Sequence, residues 1–241
     1  MDLSKLDTVI LAGGLGTRLQ PVLKDKPKCL APIDGIPFID ILLADCIKQG
    51  LQRFIICVGY LKEQVIEHLC KRNDCKIVFS EEDTPLGTGG ALKNAESHIK
   101  SDPVLVMNGD SYVKYNINDF INWHFQNDIA SVLLTFAQKT VSFGLVNISK
   151  DDNILSFKEK EVSTGSGWIN AGQYLLGKKL INDIPINVKY SLEKQLFPMI
   201  ASAGSLKGFK CNGDLLDIGT PLHYQEAPNY LSKELSNIQG K

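Results

Sequence analysis

Over the first 110 residues, short apolar runs rich in β-branched residues alternate with segments of helical period. The apolar runs lie at residues 8–12, 54–58, 76–79 and 104–107. The segments of helical period lie at residues 38–49, 61–69 and 89–99. This alternation is typical of βαβ units, and it predicts a doubly wound α/β half built on a parallel sheet.

The rhythm changes after residue 110. Strands are predicted at residues 131–136, 144–148, 154–157, 168–176 and 215–218, and helices at 120–126, 192–200 and in the polar C-terminal segment. This pattern favours a mixed sheet in the second half. Because no repeat, low-complexity tract or linker-like stretch separates the halves, we expect one domain over residues 1–241 whose second half adds strands and loops to a single site.

Composition excludes several classes of protein. The 241 residues carry 26 Lys and Arg against 27 Asp and Glu, so the chain lacks the basic excess that attracts a nucleic-acid backbone. No apolar stretch approaches the ~20 residues of a membrane span, and the N-terminus lacks the pattern of a secretory signal. The six cysteines form no C-x-x-C pair and the four histidines are scattered, which argues against a zinc site. We expect a reduced, cytoplasmic protein with no nucleic-acid or membrane partner.

A glycine-rich segment, LAGGLGTRL, follows the first predicted strand at residues 11–19. Ligands of α/β proteins bind at the carboxyl edge of the sheet, and glycines let backbone N–H groups approach phosphate oxygens. The segment has no Gly-Lys pair as in a P-loop, and Leu19 stands where G-x-G-x-x-G needs its third glycine. Since Arg18 lies in the loop and Lys28 shortly after it, we interpret the segment as a phosphate-binding loop. The alternative is a tight turn between a strand and a helix.

A second glycine-rich segment, PLGTGGA, lies at residues 85–91 between a predicted strand and a predicted helix. Its glycines again allow close approach of a ligand, and Thr88 offers a hydroxyl group and a helix N-cap. The alternative is a flexible turn capped by threonine.

Two aspartates follow apolar runs. Asp110 ends the segment Asn108-Gly109-Asp110, and Asp217 follows the leucines at 215 and 216. Mg²⁺ takes one or two carboxylates together with substrate phosphates, so this pair is a candidate magnesium site. Taken singly, either aspartate is more often a turn or cap residue.

A charged segment, FKEK at residues 157–160, precedes WINAG at residues 168–172. Glu159 can accept two hydrogen bonds from sugar hydroxyls, Lys160 can hold a phosphate, and Asn170 can both donate and accept. The alternative is a solvated, charged strand end.

Together and in this order, these motifs resemble those of the sugar-1-phosphate nucleotidyltransferases, and they cover residues 11–221. The resemblance implies an α/β fold: a Rossmann-like, GT-A-like doubly wound mixed sheet in a single domain without the C-terminal β-helix of some relatives. It also implies that about residues 1–110 bind the nucleotide and about 111–241 the sugar phosphate. The implied roles are nucleotide binding by Leu11, Gly13, Gly14, Gly16, Thr17, Glu81, Gly87 and Thr88, catalysis by Arg18, Lys28 and Asp110, Mg²⁺ binding by Asp110 and Asp217, and sugar-phosphate binding by Glu159, Lys160 and Asn170.

The reaction that the resemblance implies is attack by a sugar 1-phosphate oxygen on the α-phosphorus of a nucleoside triphosphate, giving a nucleotide sugar and pyrophosphate. The attacking oxygen is already anionic, so no general base is needed and catalysis depends on positioning and charge neutralisation. Cys29 adjoins Lys28, but we expect it to be a packing residue.

The stretch from GLGTRL through PVLKDKPKCLAPI, with the PLGTGGA loop, is most similar to the guanylyltransferases that make GDP-D-glycero-D-manno-heptose for bacterial surface polysaccharides. This similarity implies GTP and D-glycero-D-manno-heptose 1-phosphate as substrates. One alternative is a uridylyl-, thymidylyl- or cytidylyltransferase acting on a hexose or amino-sugar 1-phosphate. Two others are a non-catalytic nucleotide-sugar-binding protein and a glycosyltransferase, although Ser111-Tyr112 does not complete the D-x-D motif common in the latter. A homo-oligomer is compatible with the sequence.

Overall fold

The computed structural model describes residues 2–127, 129–138, 145–157 and 165–240. The strands are β1 (Asp7–Leu11), β2 (Pro32–Ile33), β3 (Ile36–Pro37), β4 (Arg53–Val58), β5 (Lys76–Glu81), β6 (Val104–Asn108), β7 (Ser111–Val113), β8 (Ala130–Ala137), β9 (Val146–Ile148), β10 (Ile154–Phe157), β11 (Gly167–Leu176), β12 (Leu206–Cys211) and β13 (Leu215–Asp217). The α-helices are α1 (Gln20–Leu23), α2 (Phe38–Lys48), α3 (Lys62–Leu69), α4 (Gly87–Asn94), α5 (Ile117–Asn127), α6 (Lys178–Asn182), α7 (Phe197–Ser202), α8 (Pro221–Tyr230) and α9 (Ser232–Gln239).

The central sheet has seven strands in the order β12-β8-β11-β6-β1-β4-β5. β1 pairs in parallel with both β4 and β6, β4 with β5, and β8 with β12. Within the described part of this sheet, β11 alone runs antiparallel to its neighbours, β6 and β8. The predicted α/β fold with a doubly wound mixed sheet is therefore confirmed, and strands from both halves of the chain form one continuous sheet.

Both faces of the sheet are apolar. Successive residues of a strand point to opposite faces, so neighbouring apolar residues pack into different clusters. Val9 and Ile55 belong to one buried cluster, whereas Ile10 and Ile56 belong to the other. Helices α2, α3, α5 and α9 cover the face of Ile10, and α4 and α7 cover the face of Val9. Burial on two sides explains why these strands are nearly continuous apolar runs rather than alternating ones.

Helix α2 shows how the sequence forms one of the outer layers. It begins after Pro37 and buries Phe38, Leu42 and Cys46, which are spaced four residues apart and therefore share one face. The chain leaves the helix through Gly50, whose φ of +103° is a conformation that glycine adopts without a steric penalty. The helix thus ends where the apolar periodicity ends.

Strands β7 and β12 lie where the sequence pattern predicts none. β12 contains Lys207, Gly208 and Lys210, residue types that are uncommon in strands, and it lies at the edge of the sheet, where lysines protect against pairing with other chains. β7 has three residues, too few for a recognisable alternation. A prediction based on apolar runs therefore does not identify either strand.

The predicted helix at residues 192–200 is in fact two elements, a π-helical turn over Leu192–Leu196 followed by α7. Of the predicted strand at 144–148, Val146–Ile148 form β9, Leu145 makes an isolated antiparallel bridge to Ile169, and Gly144 lies outside the described residues. Within the ranges given above, no helix has the length and apolar character required to cross a membrane.

Candidate active site

The first glycine-rich loop connects β1 to α1 at the carboxyl edge of the sheet, and its glycines serve different purposes. A Cβ on Gly13 would lie 2.9 Å from Oε1 of Glu82 and 3.2 Å from the backbone N of Gly59, so a side chain there would displace the Glu82 carboxylate. Gly16 has a φ of +60° and packs against the side chain of Lys28. Gly14, in contrast, has no heavy atom within 4 Å of the position of a Cβ. The loop is thus held on two sides and open at Gly14.

Three of the predicted charged residues meet beside this loop. Nζ of Lys28 lies 2.5 Å from Oδ2 of Asp110 and 3.7 Å from Oδ1 of Asp217. The Lys28 side chain is only 13% exposed, so this ammonium group is held between the two carboxylates in a partly desolvated setting. The sequence prediction that Lys28, Asp110 and Asp217 share one site agrees with this placement.

The pairing of β7 with β13 explains why the two aspartates are neighbours. The strands run antiparallel with Asp217 opposite Ser111, and the N–H of Ile218 donates to the backbone oxygen of Asp110 at 3.0 Å. Residues more than a hundred positions apart in the chain are therefore joined by backbone hydrogen bonds directly beside their carboxylates.

Gly219 shows that Arg18 faces the same point. A Cβ on Gly219 would lie 2.6 Å from Oδ1 of Asp217, 2.6 Å from Nζ of Lys28 and 3.3 Å from Nη2 of Arg18. The Gly219 N–H also donates to Oδ1 of Asp217 at 2.7 Å, which orients that carboxylate. A side chain at position 219 would therefore displace the two cations and the carboxylate that converge there.

Two adjoining cavities, of about 230 and 400 Å³, lie along this edge of the sheet. Their shared lining residues are Leu11, Gly14, Gly16, Thr17 and Asp110. The smaller cavity, which we call the charged end, is also lined by Arg18, Lys28 and Gly219. The larger one, the loop end, is also lined by Glu82, Gly87, Thr88 and Lys189. Together they form one cleft with a cationic region at one end.

The second glycine-rich loop packs against the chain itself. The N–H groups of Gly89 and Gly90 both donate to the backbone oxygen of Tyr190, at 2.9 and 3.1 Å. A Cβ on Gly87 would lie 2.7 Å from that same oxygen, and one on Gly90 would lie 2.7 Å from the oxygen of Val188. These glycines are thus required by contact with residues 188–190, although Gly87 also lines the cleft.

Thr88 does not cap its helix, so this part of the sequence prediction is wrong. The residue lies inside α4, which starts at Gly87, and the hydroxyl of Thr88 donates to Oε2 of Glu193 at 2.6 Å. The same hydroxyl accepts from the N–H of Leu192 at 2.9 Å. Thr88 therefore joins the loop end of the cleft to the π-helical turn.

Glu81, predicted to border the nucleotide, is not among the residues that line the cleft. Its carboxylate is half-exposed and pairs with Lys62 at 3.2 Å. The neighbouring Glu82 lines the cleft instead, with its Oε2 accepting from the N–H of Leu86 at 2.9 Å. Burial raises the pKa of the Glu82 carboxyl above its usual value. Of these two neighbouring glutamates, Glu82 is therefore the one that faces the cleft.

Of the predicted sugar-phosphate residues, Glu159 and Lys160 lie outside the described residues. Asn170 is described: its Nδ2 donates to the hydroxyl of Tyr174 at 2.9 Å, and its Oδ1 accepts from the N–H of Gly172 at 2.9 Å. The φ of Gly172 is +72°, and the pairing of β11 with β8 is irregular between residues 170 and 174. This irregularity is what allows Asn170 to bond to its own strand.

Sequence reasoning missed Glu82, Lys189 and Glu193. Lys189 lines the loop end of the cleft, and Glu193 contacts Thr88 from 105 positions away. Cys29, which lines the charged end, is buried, and burial raises the pKa of its thiol to about 12. At neutral pH this thiol is protonated, in agreement with the packing role expected for it.

The carboxylates of Asp110 and Asp217 supply the hard oxygen ligands that Mg²⁺ prefers. No group of three or more His, Cys, Asp or Glu side chains suited to hold a metal occurs among the residues described. A pair of carboxylates fits a cation that completes its coordination with water and substrate phosphates, and it does not fit a fully protein-bound metal.

Comparison with known proteins places this cleft in a family. The family model described as nucleotidyl transferase matches residues 7–234. The D-glycero-alpha-D-manno-heptose 1-phosphate guanylyltransferase of Campylobacter jejuni is 35% identical, over 91% of this chain and 97% of its own. The enzyme of the same name from Aneurinibacillus thermoaerophilus is 31% identical, over 94% and 98% of the two chains.

Among solved structures, HddC from Yersinia pseudotuberculosis in complex with GMP-PN is 36% identical and superposes with a TM-score of 0.84, covering 93% of this chain and 98% of HddC. The family match extends over nearly the entire chain and includes every motif that forms the cleft. The chain therefore belongs to the nucleotidyl transferase family.

Proposed function

We propose that this protein transfers GMP from GTP to D-glycero-D-manno-heptose 1-phosphate, releasing pyrophosphate. The observation that carries the proposal is the convergence of Arg18, Lys28 and Asp217 around Gly219, with Asp110 paired to Lys28. Further support comes from relatives of that name that are 31 and 35% identical over nearly their whole length.

In this reaction an anionic oxygen of the sugar phosphate attacks the α-phosphorus of GTP. A new P–O bond forms, the bond between the α-phosphorus and its bridging oxygen breaks, and pyrophosphate leaves with the electron pair. No proton has to be moved, which agrees with a cleft that presents cations and carboxylates. Two polyanions must meet, so the main barrier is their mutual repulsion.

Arg18 and Lys28 supply the positive charge that the chain itself offers against this repulsion. Both face one point of the cleft, and Lys28 is largely shielded from water, so its charge is weakly screened there. Asp110 and Asp217 would hold Mg²⁺, which when bound neutralises phosphate charge. The two carboxylates also keep Lys28 in place while substrates are absent.

Glu82 supports GTP as the nucleotide. One of its oxygens is occupied by the N–H of Leu86, and its carboxylate lines the loop end of the cleft beside Gly13. Guanine presents adjacent N1–H and N2–H donors, which match a carboxylate acceptor. Uracil and thymine present one donor between two carbonyl oxygens, and a carboxylate would repel both. The loop end therefore favours guanine over uracil and thymine.

The cytoplasmic location and the use of the product in surface polysaccharide synthesis belong to the same proposal. All six cysteines are free thiols, and four of them are buried, which suits a reducing compartment. A nucleotide sugar is an activated donor, so a glycosyl-transfer reaction must consume it.

The test is an assay of GTP, UTP, dTTP and CTP against a panel of sugar 1-phosphates that includes D-glycero-α-D-manno-heptose, mannose, glucose and N-acetylglucosamine 1-phosphate. Pyrophosphate release should be fastest with GTP and the heptose phosphate. A higher kcat/KM with UTP or dTTP and a hexose phosphate would overturn the substrate assignment. Absence of pyrophosphate release with every pair would favour a non-catalytic nucleotide-sugar-binding protein.

A further inference from the structure

A partly buried network of hydrogen bonds joins Thr88, at the loop end of the cleft, to Asn170 through a carboxylate that has no assigned role. Glu193 accepts from the hydroxyl of Thr88 at 2.6 Å, from that of Ser191 at 2.8 Å and from that of Tyr174 at 3.1 Å. Tyr174 in turn accepts from Nδ2 of Asn170. Thr88 lines the loop end of the cleft, and Asn170 is a sugar-phosphate candidate.

The donor and acceptor of every hydrogen bond in this network follow from the negative charge of Glu193. A carboxylate can only accept hydrogen bonds. The hydroxyls of Thr88 and Tyr174 must therefore both donate their single proton to it. The Tyr174 oxygen is then left as an acceptor, and Asn170 must present its NH₂ group to it. The N–H of Gly172 imposes the same amide orientation from the other side, because it requires Oδ1.

The ring of Tyr174 is rigidly placed, so it can transmit this constraint. Its side chain is fully buried, and its ring packs edge-to-face on Phe197 with centroids 4.7 Å apart. The Thr88 hydroxyl likewise has fixed partners on both sides, since it also accepts from the N–H of Leu192. The network is therefore a set of positioned groups rather than of rotating hydroxyls.

We propose that Glu193 is a positioning residue for both substrates, which through Thr88 sets the nucleotide side of the cleft and through Tyr174 fixes the amide of Asn170 toward the sugar phosphate. This inference rests on the proposed function, because it takes Thr88 and Asn170 as residues of the two substrate subsites. Asn170 keeps one N–H and one acceptor lone pair unused by its two bonds, and these are what it can offer to a ligand.

Tyr174→Phe is the decisive variant. It keeps the ring packed on Phe197 and removes the hydroxyl that links Glu193 to Asn170. The hydrogen bond from Thr88 to Glu193 stays in place. We expect the KM for the sugar 1-phosphate to rise about 5- to 10-fold, and the KM for GTP to stay within about twofold, as for loss of one oriented hydrogen bond. Glu193→Gln should raise both KM values, since it disturbs the hydrogen bond from Thr88 as well as the one from Tyr174.

Tyr190→Phe is the matched control. It also removes one phenolic hydroxyl, from a residue that packs against the second glycine-rich loop, and that hydroxyl makes no hydrogen bond within the described ranges of the chain. We expect its kinetics to equal those of the wild type. Melting temperatures of all variants separate a loss of folded protein from a change in KM.

A double-mutant cycle distinguishes positioning from a purely structural role. If Tyr174 acts through Asn170, then Tyr174→Phe should have no further effect on the sugar-phosphate KM once Asn170 is alanine. Additive effects, equal increases in both KM values for Tyr174→Phe, or kinetics identical to those of Tyr190→Phe would each overturn the proposal. Should Tyr174→Phe not fold, the cycle is run with Glu193→Gln, and additivity of its sugar-phosphate effect with Asn170→Ala has the same meaning.

The proposed function and this inference fail in different ways. If the wild type prefers another sugar 1-phosphate, the substrate assignment is wrong and the same comparison is made with that sugar. If the wild type releases no pyrophosphate, binding of GTP and of the sugar phosphates is titrated by calorimetry, and Tyr174→Phe should weaken only the latter. An active wild type with an unchanged Tyr174→Phe variant refutes the role of Glu193 alone.

Discussion

The two glycine-rich loops that border the cleft differ in what their glycines face. In the first loop, residues 11–19, Gly14 opens onto the cleft and Gly16 makes room for Lys28. In the second loop, residues 85–91, the glycines make room for residues 188–190 of the same chain. One loop is therefore shaped mainly around ligand space and neighbouring charge, and the other mainly by internal packing.

This difference predicts which substitutions should lower turnover and which should lower stability. Changes at the charged end should lower turnover more than stability, because Arg18, Lys28 and Asp110 line the cleft and belong to neither apolar core cluster. Changes in the second loop should lower stability first, because they displace a packed backbone. Enzyme kinetics and thermal unfolding measured on the same variants therefore test the comparison directly.

The largest effect is expected for Asp110→Asn. The substitution keeps the shape of the side chain but removes the charge that contacts Lys28 and would hold Mg²⁺. We expect turnover to fall on the order of 10³-fold or more, with little change in melting temperature. Pyrophosphate release and thermal unfolding are the measurements. Turnover within tenfold of the wild type would remove Asp110 from the metal site.

Next in size are Lys28→Ala and Arg18→Ala. Each removes one of the cations that converge near Gly219, so each should lower kcat by about 10²-fold or more, as for loss of a charge contact made in the transition state. Lys28→Arg serves as a control that keeps the charge. If only KM changed, these residues would contribute to binding and not to the chemical step.

A smaller effect, on stability and not on turnover, is expected from one member of a matched pair of glycine substitutions. Gly90→Ala would place a Cβ 2.7 Å from the oxygen of Val188 and 2.8 Å from Cβ of Leu86. The overpacking should cost about 1–3 kcal/mol of unfolding free energy, which exceeds the ~1 kcal/mol that alanine gains over glycine in a helix. Gly14→Ala meets no atom within 4 Å and should leave stability unchanged while weakening nucleotide binding.

Denaturant unfolding and the KM for GTP, measured on both glycine variants, check this pair. A Gly90→Ala protein as stable as the wild type would show that residues 188–190 can move aside at little cost. The second loop would then no longer differ from the first in the way described above.

The charged end of the cleft was predictable because one local rule applies to each of its parts. Residues that follow a buried parallel strand lie at the carboxyl edge of the sheet, so Arg18 and Asp110 could be placed there from sequence. Glu82 could not be separated from Glu81, since neighbouring residues at a strand end point to opposite sides and a one-residue error reverses the assignment. Glu193 acts on a threonine 105 positions away, and no local pattern contains that information.

The smallest and most specific effect is expected for Glu82→Gln at the loop end. The glutamine keeps an oxygen for the N–H of Leu86, but its NH₂ group would face the donors of guanine, so the KM for GTP should rise about tenfold at pH 7.5. The KM for the sugar 1-phosphate should be unaffected. An unchanged KM for GTP would exclude Glu82 from recognition of the base.

The pH dependence sharpens this last prediction. Burial raises the pKa of the Glu82 carboxyl, so the wild type takes up a proton there at a higher pH than an exposed glutamate would. As the pH falls through that raised pKa, the wild type loses its acceptor charge and its KM for GTP rises, whereas the glutamine does not titrate. The ratio of the variant KM to the wild-type KM removes the titration of GTP itself and should fall toward one in acid. A ratio independent of pH would mean that the carboxylate charge plays no part in holding the nucleotide.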